Sequence, residues 1–378
     1  MKIDSLKIAH LGGPSTCLKI ETDTGVYGLG EPSVETSVES VIKLVQLIGE
    51  EYLIGKDPFE IEKHRRTIQD ALWYHADFTA RAVLTGIENA LLDLKARSLN
   101  IPLYELLGGA VRDEVRIYKW IGAADRSNLV EQATARVSEG IKAIKFSPTS
   151  NRPARFPQVI DEVEAIVSSV RNAIGPAVDI MLDPASRWKL SEAREILKVI
   201  EPYRILFAED FIAELDVLSQ EKLSAATSTP IALGDRLIGF KDFGPLIARQ
   251  AVGVIQPDIC HSGGLLELKA IARYAEQFGI RVAPHNPQGI IATATAIHFD
   301  LTVPNFLIQE IAGSDFFGAW SNKDLMRAPE YQISEGHIAR PSLPGIGVEV
   351  SDVVFSEDFK APPAPRFWDR DDFHVPEW

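Results

Sequence analysis

Short apolar runs recur between residues 183 and 310, and each carries an acidic or histidine residue at or near its end. The runs read DIMLD, ILFAED, IALGD, VGVIQPD, RVAPH and FLIQE. Their polar residues are spaced 23 to 27 positions apart: Asp183, Glu209, Asp235, Asp258, His285 and Glu310. A strand, a loop, a helix and a return loop need about that many residues. The pattern predicts βα units whose strand ends meet at one mouth of a closed barrel.

Two more strand-like runs precede this series, VRIYKW and IKAIKFS. Each is followed by a helical pattern, from about 127 to 138 and from about 157 to 173. Strands that alternate with helices favour a parallel sheet, and eight such strands predict a closed barrel.

The first part of the chain has its strands before its helices, which is typical of an α+β domain. IDSLKIAHL and TCLKIETD read as strands, and helices are predicted from Ser37 to about Gly49, from Asp57-Pro58 onward, and from Phe78 to about Ser98. We therefore expect an α+β capping domain over residues 1–112 and a barrel over 113–323. Residues 324–378 are rich in Pro and turn residues and are expected to return to the first domain.

Composition limits the functional classes. The 378 residues are 46% hydrophobic and 24% charged, as in an ordinary globular protein. The net charge of −14 argues against nucleic acid or an anionic membrane as partner. No apolar run reaches about 18 residues, so no membrane span is predicted. Cys17 and Cys260 are too few for a disulfide framework, which fits a cytoplasmic protein.

Three acids end consecutive predicted strands: Asp183, Glu209 and Asp235. Bare carboxylates at close range repel each other, and a divalent cation removes that repulsion. Oxygen ligands with open positions for water and substrate favour Mg²⁺ over Zn²⁺. The first barrel strand reads YKW and carries no H-x-H motif, which disfavours a zinc hydrolase. The alternative for each acid alone is a solvated loop residue.

Asp258 and His285 end the next two strands and form a predicted dyad. An Asp beside a His orients the ring and raises its basicity. With an ordinary pKa near 6.5, His285 could accept a proton at neutral pH. A structural histidine satisfied by its neighbours is the alternative.

Other polar residues are candidate substrate contacts. Lys145, late in the second strand, can reach a substrate carboxylate or a developing oxyanion, or can pair with an acid instead. Glu310 can donate to the same oxyanion if protonated, or orient a neighbouring group. His261, in the turn after the sixth strand, is a further candidate. Tyr74 and His75, between two predicted helices, are candidates for a cap loop that closes the mouth.

A metal and a histidine base together suit removal of the proton next to a substrate carboxylate, giving an enediolate. A second group then decides the outcome. Reprotonation from the other face gives epimerisation, and loss of a β-hydroxyl gives dehydration.

The motif set resembles the enolase superfamily and, through the QPD and APH segments with their Asp–His dyad, its mandelate racemase subgroup. LLGGAVRD, YKWIGA, QPDICHSGG, APHNPQG and FWDRDDFHVPEW look most like acid-sugar dehydratases of the galactonate dehydratase type. The resemblance implies a modified TIM barrel, (β/α)7β, with an N-terminal α+β cap completed by the C-terminal tail. It also implies Mg²⁺ on the three acids, catalysis by His285, Asp258, Lys145 and Glu310, and a homo-oligomer between dimer and octamer.

The sequence departs from the family at three positions. Galactonate-type dehydratases carry a histidine where this chain has Ala185, and racemases of the subgroup carry a second lysine where it has Ser147, which we count among the substrate-binding candidates. The third metal ligand is Asp235, where many dehydratases have Glu. Without the second lysine, His285 alone cannot serve both faces of a planar intermediate, which disfavours racemisation. We therefore expect a Mg²⁺-dependent dehydratase of an aldonate or aldarate that yields a 2-keto-3-deoxy acid. An epimerase or cycloisomerase of a sugar acid or lactone, and a non-catalytic sugar-acid-binding homologue, remain alternatives.

Overall fold

The computed structural model describes residues 1–34, 37–73, 77–122, 128–149, 155–311 and 325–361. The candidate contacts Tyr74 and His75 lie outside the described residues. Among the helices that are described, none is long and apolar enough to cross a membrane.

An antiparallel sheet begins the chain, with strands β1 (Ile3–Gly12), β2 (Ser15–Thr22) and β3 (Tyr27–Gly30). The helices that follow are α1 (Val38–Ile48), α2 (Ile61–Ala71), α3 (Phe78–Ser98) and α4 (Leu103–Leu106). The prediction that the second helix starts at Asp57-Pro58 is wrong. Asp57 Oδ1 accepts a hydrogen bond from the Phe59 N–H (2.9 Å), which holds these residues in a turn before the helix begins at Ile61.

Helix α3 lies directly against β3 because glycines let the two backbones approach. A Cβ at Gly30 would lie 2.1 Å from the Gly86 oxygen, and one at Gly28 would lie 2.0 Å from the Ala90 oxygen. Any side chain at either glycine would therefore push the helix off the sheet. This close approach fixes α3 as the buried centre of the N-terminal unit.

A parallel barrel follows, and each strand from β4 to β9 pairs with the next along the chain. The strands are β4 (Glu114–Trp120), β5 (Ala143–Phe146), β6 (Asp179–Leu182), β7 (Phe207–Glu209), β8 (Ile231–Leu233), β9 (Val254–Ile255), β10 (Arg281–Val282) and β11 (Gln309–Ile311). Strand β11 pairs with β4. An isolated bridge between Val282 and Phe306 connects β10 to the segment just before β11 and so closes the barrel.

Helices connect these strands on the outside: α5 (Leu129–Ser138), α6 (Phe156–Ile174), α7 (Leu190–Ile200), α8 (Val217–Ser224), α9 (Gly239–Ala248), α10 (Leu265–Glu276) and α11 (Ile290–Asp300). In the described part of the chain, eight parallel strands with seven intervening helices form the predicted (β/α)7β barrel. That prediction is confirmed.

The C-terminal segment contacts both units. It contains β12 (Met326–Arg327), β13 (Ile333–Ser334), β14 (His337–Ala339) and β15 (Glu349–Val350). Strand β14 pairs antiparallel with β4 of the barrel. Lys19 in β2 forms a 2.8 Å ion pair with Asp352, and the Gly345 N–H donates to the Ile101 oxygen. The domain boundaries at 112 and 323 stay predictions.

Candidate active site

An apolar layer inside the barrel forms the floor of the site. One buried residue from each barrel strand, or from just beyond its end, packs in this layer: Tyr118, Ala143, Met181, Phe207, Ala232, Val254, Ala283 and Ile308. Side chains along a strand alternate between faces, so residues two places further on point into the same interior. Those positions hold Lys145, Asp183, Glu209, His285 and Glu310. These five predicted polar residues therefore meet just above the floor, at the C-terminal ends of the strands.

Lys145 is fully buried and pairs with several acids. Its Nζ lies 2.9 and 2.8 Å from the two carboxylate oxygens of Glu209, 3.1 Å from Oε1 of Glu310 and 3.9 Å from Asp183. Burial would lower the pKa of Lys145, but the charges of Glu209 and Glu310 raise it well above its usual value. The structure thus shows the acid-pairing alternative for Lys145. A contact to a substrate carboxylate stays a prediction.

Glu310 acts as a hydrogen-bond acceptor in this arrangement. The Asn286 N–H donates to its Oε2 at 3.1 Å, and Lys145 binds its other oxygen. Burial would raise the pKa of Glu310, but Lys145 and His285 lower it below its usual range. The neighbouring positive charges favour the ionised form of Glu310, and donation from a protonated Glu310 to an oxyanion stays a prediction. The other predicted role, orientation of a neighbouring group, matches its contacts.

The three candidate metal ligands lie near one another, and Lys145 offsets only part of their negative charge. Asp183 and Glu209 are buried and Asp235 is half-buried, with its Oδ1 atom enclosed and lacking a hydrogen-bond partner. Burial raises the pKa of Asp183 well above its usual value, and the charge of Glu209 raises it further. Burial also raises the pKa values of Glu209 and Asp235.

The chemistry of this donor set suits a divalent cation such as Mg²⁺, because it offers carboxylate oxygens and a buried acceptor without a hydrogen-bond partner. The three carboxylates are not arranged around a common point as the ligands of a bound metal ion would be. Within the described ranges, no group of three or more His, Cys, Asp or Glu side chains is arranged to hold a metal ion. Lys145 instead takes both oxygens of Glu209.

Asp258 and His285 form the predicted dyad. His285 Nδ1 lies 2.8 Å from Asp258 Oδ2, and an isolated parallel bridge joins the two residues. The other oxygen of Asp258 accepts the N–H groups of Cys260 and His261. Burial would raise the pKa of Asp258, but His261 and His285 lower it. A carboxylate on Nδ1 places a proton on that nitrogen and leaves Nε2 free to exchange a proton with a ligand.

Charged groups around His285 also control the pKa of its ring. Burial would lower its pKa, but the hydrogen bond that Nδ1 donates to Asp258 and the charges of Glu310 and Asp235 raise it well above its usual value. A cation bound among the neighbouring acids would offset that negative charge and return the pKa towards the range needed for a base at neutral pH.

His261 links two strand ends. Its Nε2 donates to the backbone oxygen of Asp235 (2.8 Å), and its Nδ1 lies 3.1 Å from Asp258 Oδ1. The edge of its ring meets Phe78, with ring centroids 5.1 Å apart. Both ring nitrogens therefore face protein atoms. A substrate contact by His261 stays a prediction.

Ser147 and Ala185 stand at the two positions where the family resemblance implies a base or an acid. Ser147 is buried, and its hydroxyl lies 2.9 Å from that of Thr149. Ala185 has a φ of +53° and donates its N–H to Asp183 Oδ1 at 2.7 Å. The hydroxyl pair is not a base at neutral pH, and the alanine methyl group has no proton to transfer.

Sequence reasoning missed three polar residues in this region. Gln256 Nε2 donates to Glu209 Oε2 at 2.7 Å. Asp210 accepts from Arg236 Nε at 2.7 Å, and burial raises the pKa of Asp210 to about 7. Gln256 could have been found, because it lies two places beyond the floor residue Val254. Nothing in the local pattern separates the other two from solvated loop charges.

These features define a class: a barrel enzyme with a histidine–aspartate pair and an acidic cluster at the C-terminal mouth, covered by an α+β domain. The family models identify it more closely. The description "Enolase C-terminal domain-like" matches residues 128–354, and "Mandelate racemase / muconate lactonizing enzyme, N-terminal domain" matches residues 13–108. The chain belongs to the mandelate racemase / muconate lactonizing enzyme family of the enolase superfamily, as its motifs predicted.

Curated relatives match over the full length of both chains. The chain is 32% identical over 394 residues to the D-galactonate dehydratase of Xanthomonas euvesicatoria, and 33% identical over 383 residues to that of Ralstonia pickettii. Among solved structures, it is similar to an enolase from Agrobacterium radiobacter with bound Na and L-malate (TM-score 0.86, 27% identity, 96% of each chain). It is also similar to a mandelate racemase/muconate lactonizing enzyme from Jannaschia sp. CCS1 (TM-score 0.83, 27% identity, 94% of this chain and 97% of that one).

Proposed function

We propose that the protein is a Mg²⁺-dependent dehydratase of an acid sugar, an aldonate or aldarate, which it converts to a 2-keto-3-deoxy acid. The observation that carries the proposal is the Asp258–His285 pair, 2.8 Å apart at the same mouth as the acidic cluster. The full-length relatives named D-galactonate dehydratase agree with the predicted class, a hydro-lyase.

Asp183, Glu209 and Asp235 would hold the Mg²⁺ ion. When bound, the ion would neutralise the substrate carboxylate and acidify the adjacent C–H group. The unpartnered Oδ1 of Asp235 and the charge imbalance of the cluster support this assignment.

The residues of the chain account for the proton transfers. Nε2 of His285 removes the α-proton, and Asp258 on Nδ1 holds the ring and stabilises the imidazolium. The electron pair of the broken C–H bond forms an enediolate, whose negative charge Lys145 stabilises. His285 then returns its proton to the β-hydroxyl on the same face, and the C–O bond breaks to release water. The resulting enol becomes the 2-keto acid.

The residues at the end of the second barrel strand, β5, argue against racemisation. Inversion of a planar intermediate needs a proton from the face opposite His285, and that role requires a second base. At the end of β5 the chain carries the hydroxyl groups of Ser147 and Thr149, 2.9 Å apart, and no second lysine. Dehydration on one face needs only His285, which favours it over epimerisation.

We also propose a cytoplasmic location and assembly into a homo-oligomer between dimer and octamer. The two cysteines are free and buried, which fits a reducing compartment. Size-exclusion chromatography with light scattering would test the assembly.

The test is proton NMR in D₂O with Mg²⁺, across aldonates, aldarates and their lactones, with His285→Asn as control. We expect loss of an α-proton signal and a new keto-deoxy product with the parent protein, and neither with His285→Asn. Exchange of the α-proton or a changed epimer, without elimination, would establish an epimerase instead. A rearranged lactone would establish a cycloisomerase. If both proteins bind an acid sugar equally and neither exchanges its α-proton, the protein is a binder and the proposal fails.

A further inference from the structure

Two barrel helices, α10 and α11, begin after a glycine, which has no side chain to cap them. Helix α10 starts after Gly264 and α11 starts after Gly289, and neither N-cap supplies a side-chain hydrogen bond. The first N–H groups of a helix have no partner within it, and Ser, Thr, Asp or Asn usually accepts from them. Glycine has no group that can do so. These two helices directly follow the loops that carry Asp258 and His285.

Buried carboxylates from the N-terminal unit take the capping role. Glu31, just after β3, accepts the Gly289 N–H at 2.8 Å and the Ala292 N–H at 2.9 Å, one with each oxygen. Glu88, in α3, accepts the Leu266 N–H at 2.9 Å. Negative charge at a helix N-terminus is also favourable for the helix dipole. Each helix is thus capped by a residue from a different part of the chain.

The carboxylates lie so close to the helix starts that only glycine fits at positions 264 and 289. A Cβ at Gly289 would lie 2.8 Å from Glu31 Oε1, and one at Gly264 would lie 2.4 Å from Glu88 Oε2. A self-capping Ser or Asp at either position would displace the carboxylate. The loops therefore depend on the N-terminal unit for their position.

Neighbouring contacts tie the Asp258 loop to the same unit. Asn89, next to Glu88 in α3, donates from Nδ2 to the Ile259 oxygen at 3.2 Å. Arg65 Nε lies 3.3 Å from Glu88, and its NH2 group binds Glu267 of α10 at 2.8 Å. Helix α3 packs directly on the sheet through Gly28 and Gly30, so these contacts connect the Asp258 loop to the centre of the N-terminal unit.

We propose that Glu31 and Glu88 are positioning residues that hold the His285 and Asp258 loops so that the Nδ1–Oδ2 contact of the dyad forms. The proposal rests on the proposed function for its effect on catalysis. Neither carboxylate needs to touch the substrate. Each acts through the backbone of its loop, and a displacement of about 1 Å at a proton-transfer centre can cost roughly 100-fold in rate.

The test compares Glu31→Gln and Glu88→Gln with Asp93→Asn. Glutamine keeps the shape of glutamate but turns one acceptor oxygen into a donor and removes the charge. Asp93 is a matched control: it is a buried carboxylate of the same α3, and it accepts the N–H groups of Leu29 and Ile346, away from both loops. The first readout is amide hydrogen–deuterium exchange, followed by kcat and KM on the substrate found by NMR.

We expect Glu31→Gln to speed amide exchange about tenfold or more in residues 286–292, and Glu88→Gln to do so in residues 259–266. Asp93→Asn should leave both segments unchanged. On substrate, kcat should fall roughly 10- to 100-fold in the two glutamine variants with KM nearly constant, and should not fall in the control. Equal exchange in all three variants, or parent-like kcat in both glutamine variants, would overturn the proposal. Amide exchange needs no turnover, so a parent protein without activity would refute the proposed function while this readout still judges the positioning role.

Discussion

His298 should make the protein sensitive to acid. It lies on α11 and is fully buried between α4 and the C-terminal segment. Its Nδ1 accepts the Tyr104 N–H at 3.2 Å, and its Nε2 lies 3.2 Å from the Tyr331 hydroxyl, which in turn donates to the Ile346 oxygen. This network requires the neutral ring, because a proton on Nδ1 would face the Tyr104 N–H.

Burial lowers the pKa of His298 from 6.5 to about 3. The unfolded chain therefore takes up a proton near pH 6.5, while the folded protein does not until about pH 3. The stability linked to His298 is fully present above pH 6.5 and is lost as the pH falls from 6.5 to 3. At pH 5 the loss covers 6.5 − 5 = 1.5 pH units, or about 2 kcal/mol at 1.36 kcal/mol per unit. For a chain of this length that corresponds to roughly 2–3 °C in melting temperature.

The assay is the free energy of unfolding of the parent and His298→Gln at pH 7.5 and pH 5.0. Glutamine can still donate to Tyr331 but does not ionise in this range. We expect the parent to be more stable at pH 7.5 and the difference to shrink by about 2 kcal/mol at pH 5.0. Glu31 and Glu88, whose pKa values burial raises to about 7, titrate in both proteins and cancel in the comparison. A stability difference that stays constant between the two pH values would refute the reasoning.

Four further predictions concern the site. Lys145→Met should lower the free energy of unfolding by about 3–5 kcal/mol, because it leaves the buried carboxylates of Glu209 and Glu310 without their cation; a melting curve like that of the parent would contradict this ion-pair network. Mg²⁺ at about 100 times its Kd should stabilise the parent by about 2.7 kcal/mol, and chelation should reverse the effect. Asp235→Asn should weaken Mg²⁺ binding, and calorimetry that finds equal affinity would remove this residue from the ligand set. Asp258→Asn should reduce α-proton exchange on the order of 10³-fold or more with little change in KM, whereas parent-like exchange would show that the dyad is not the base.

Local sequence patterns determined the barrel and the location of its site. A strand places every second side chain on the same face, so the apolar floor at Ala143, Met181 and Phe207 predicts that Lys145, Asp183 and Glu209 point into the same space. The regular spacing of the strand ends then brings those groups to one mouth. Both rules act over a few residues at a time, and a single sequence is sufficient to apply them.

Charge states and pairing within the site needed the three-dimensional arrangement. Lys145 could be assigned from the sequence either to an acid or to a substrate, and the structure pairs it with Glu209 and Glu310. For Glu310 the sequence left open donation to an oxyanion or orientation of a neighbouring group, and its positive neighbours in the structure favour the ionised form. The pKa of a buried group depends on every charge near it in space, which the strand pattern alone does not contain.

The contacts between the N-terminal unit and the barrel were decided by tertiary structure alone. Glu31 caps a helix 258 positions further along the chain, and Glu88 caps one 178 positions away. In the sequence, Gly264 and Gly289 look like ordinary loop glycines beside the dyad. Propensity and periodicity describe neighbours along the chain, whereas a cap supplied from another unit exists only after the two units have packed together.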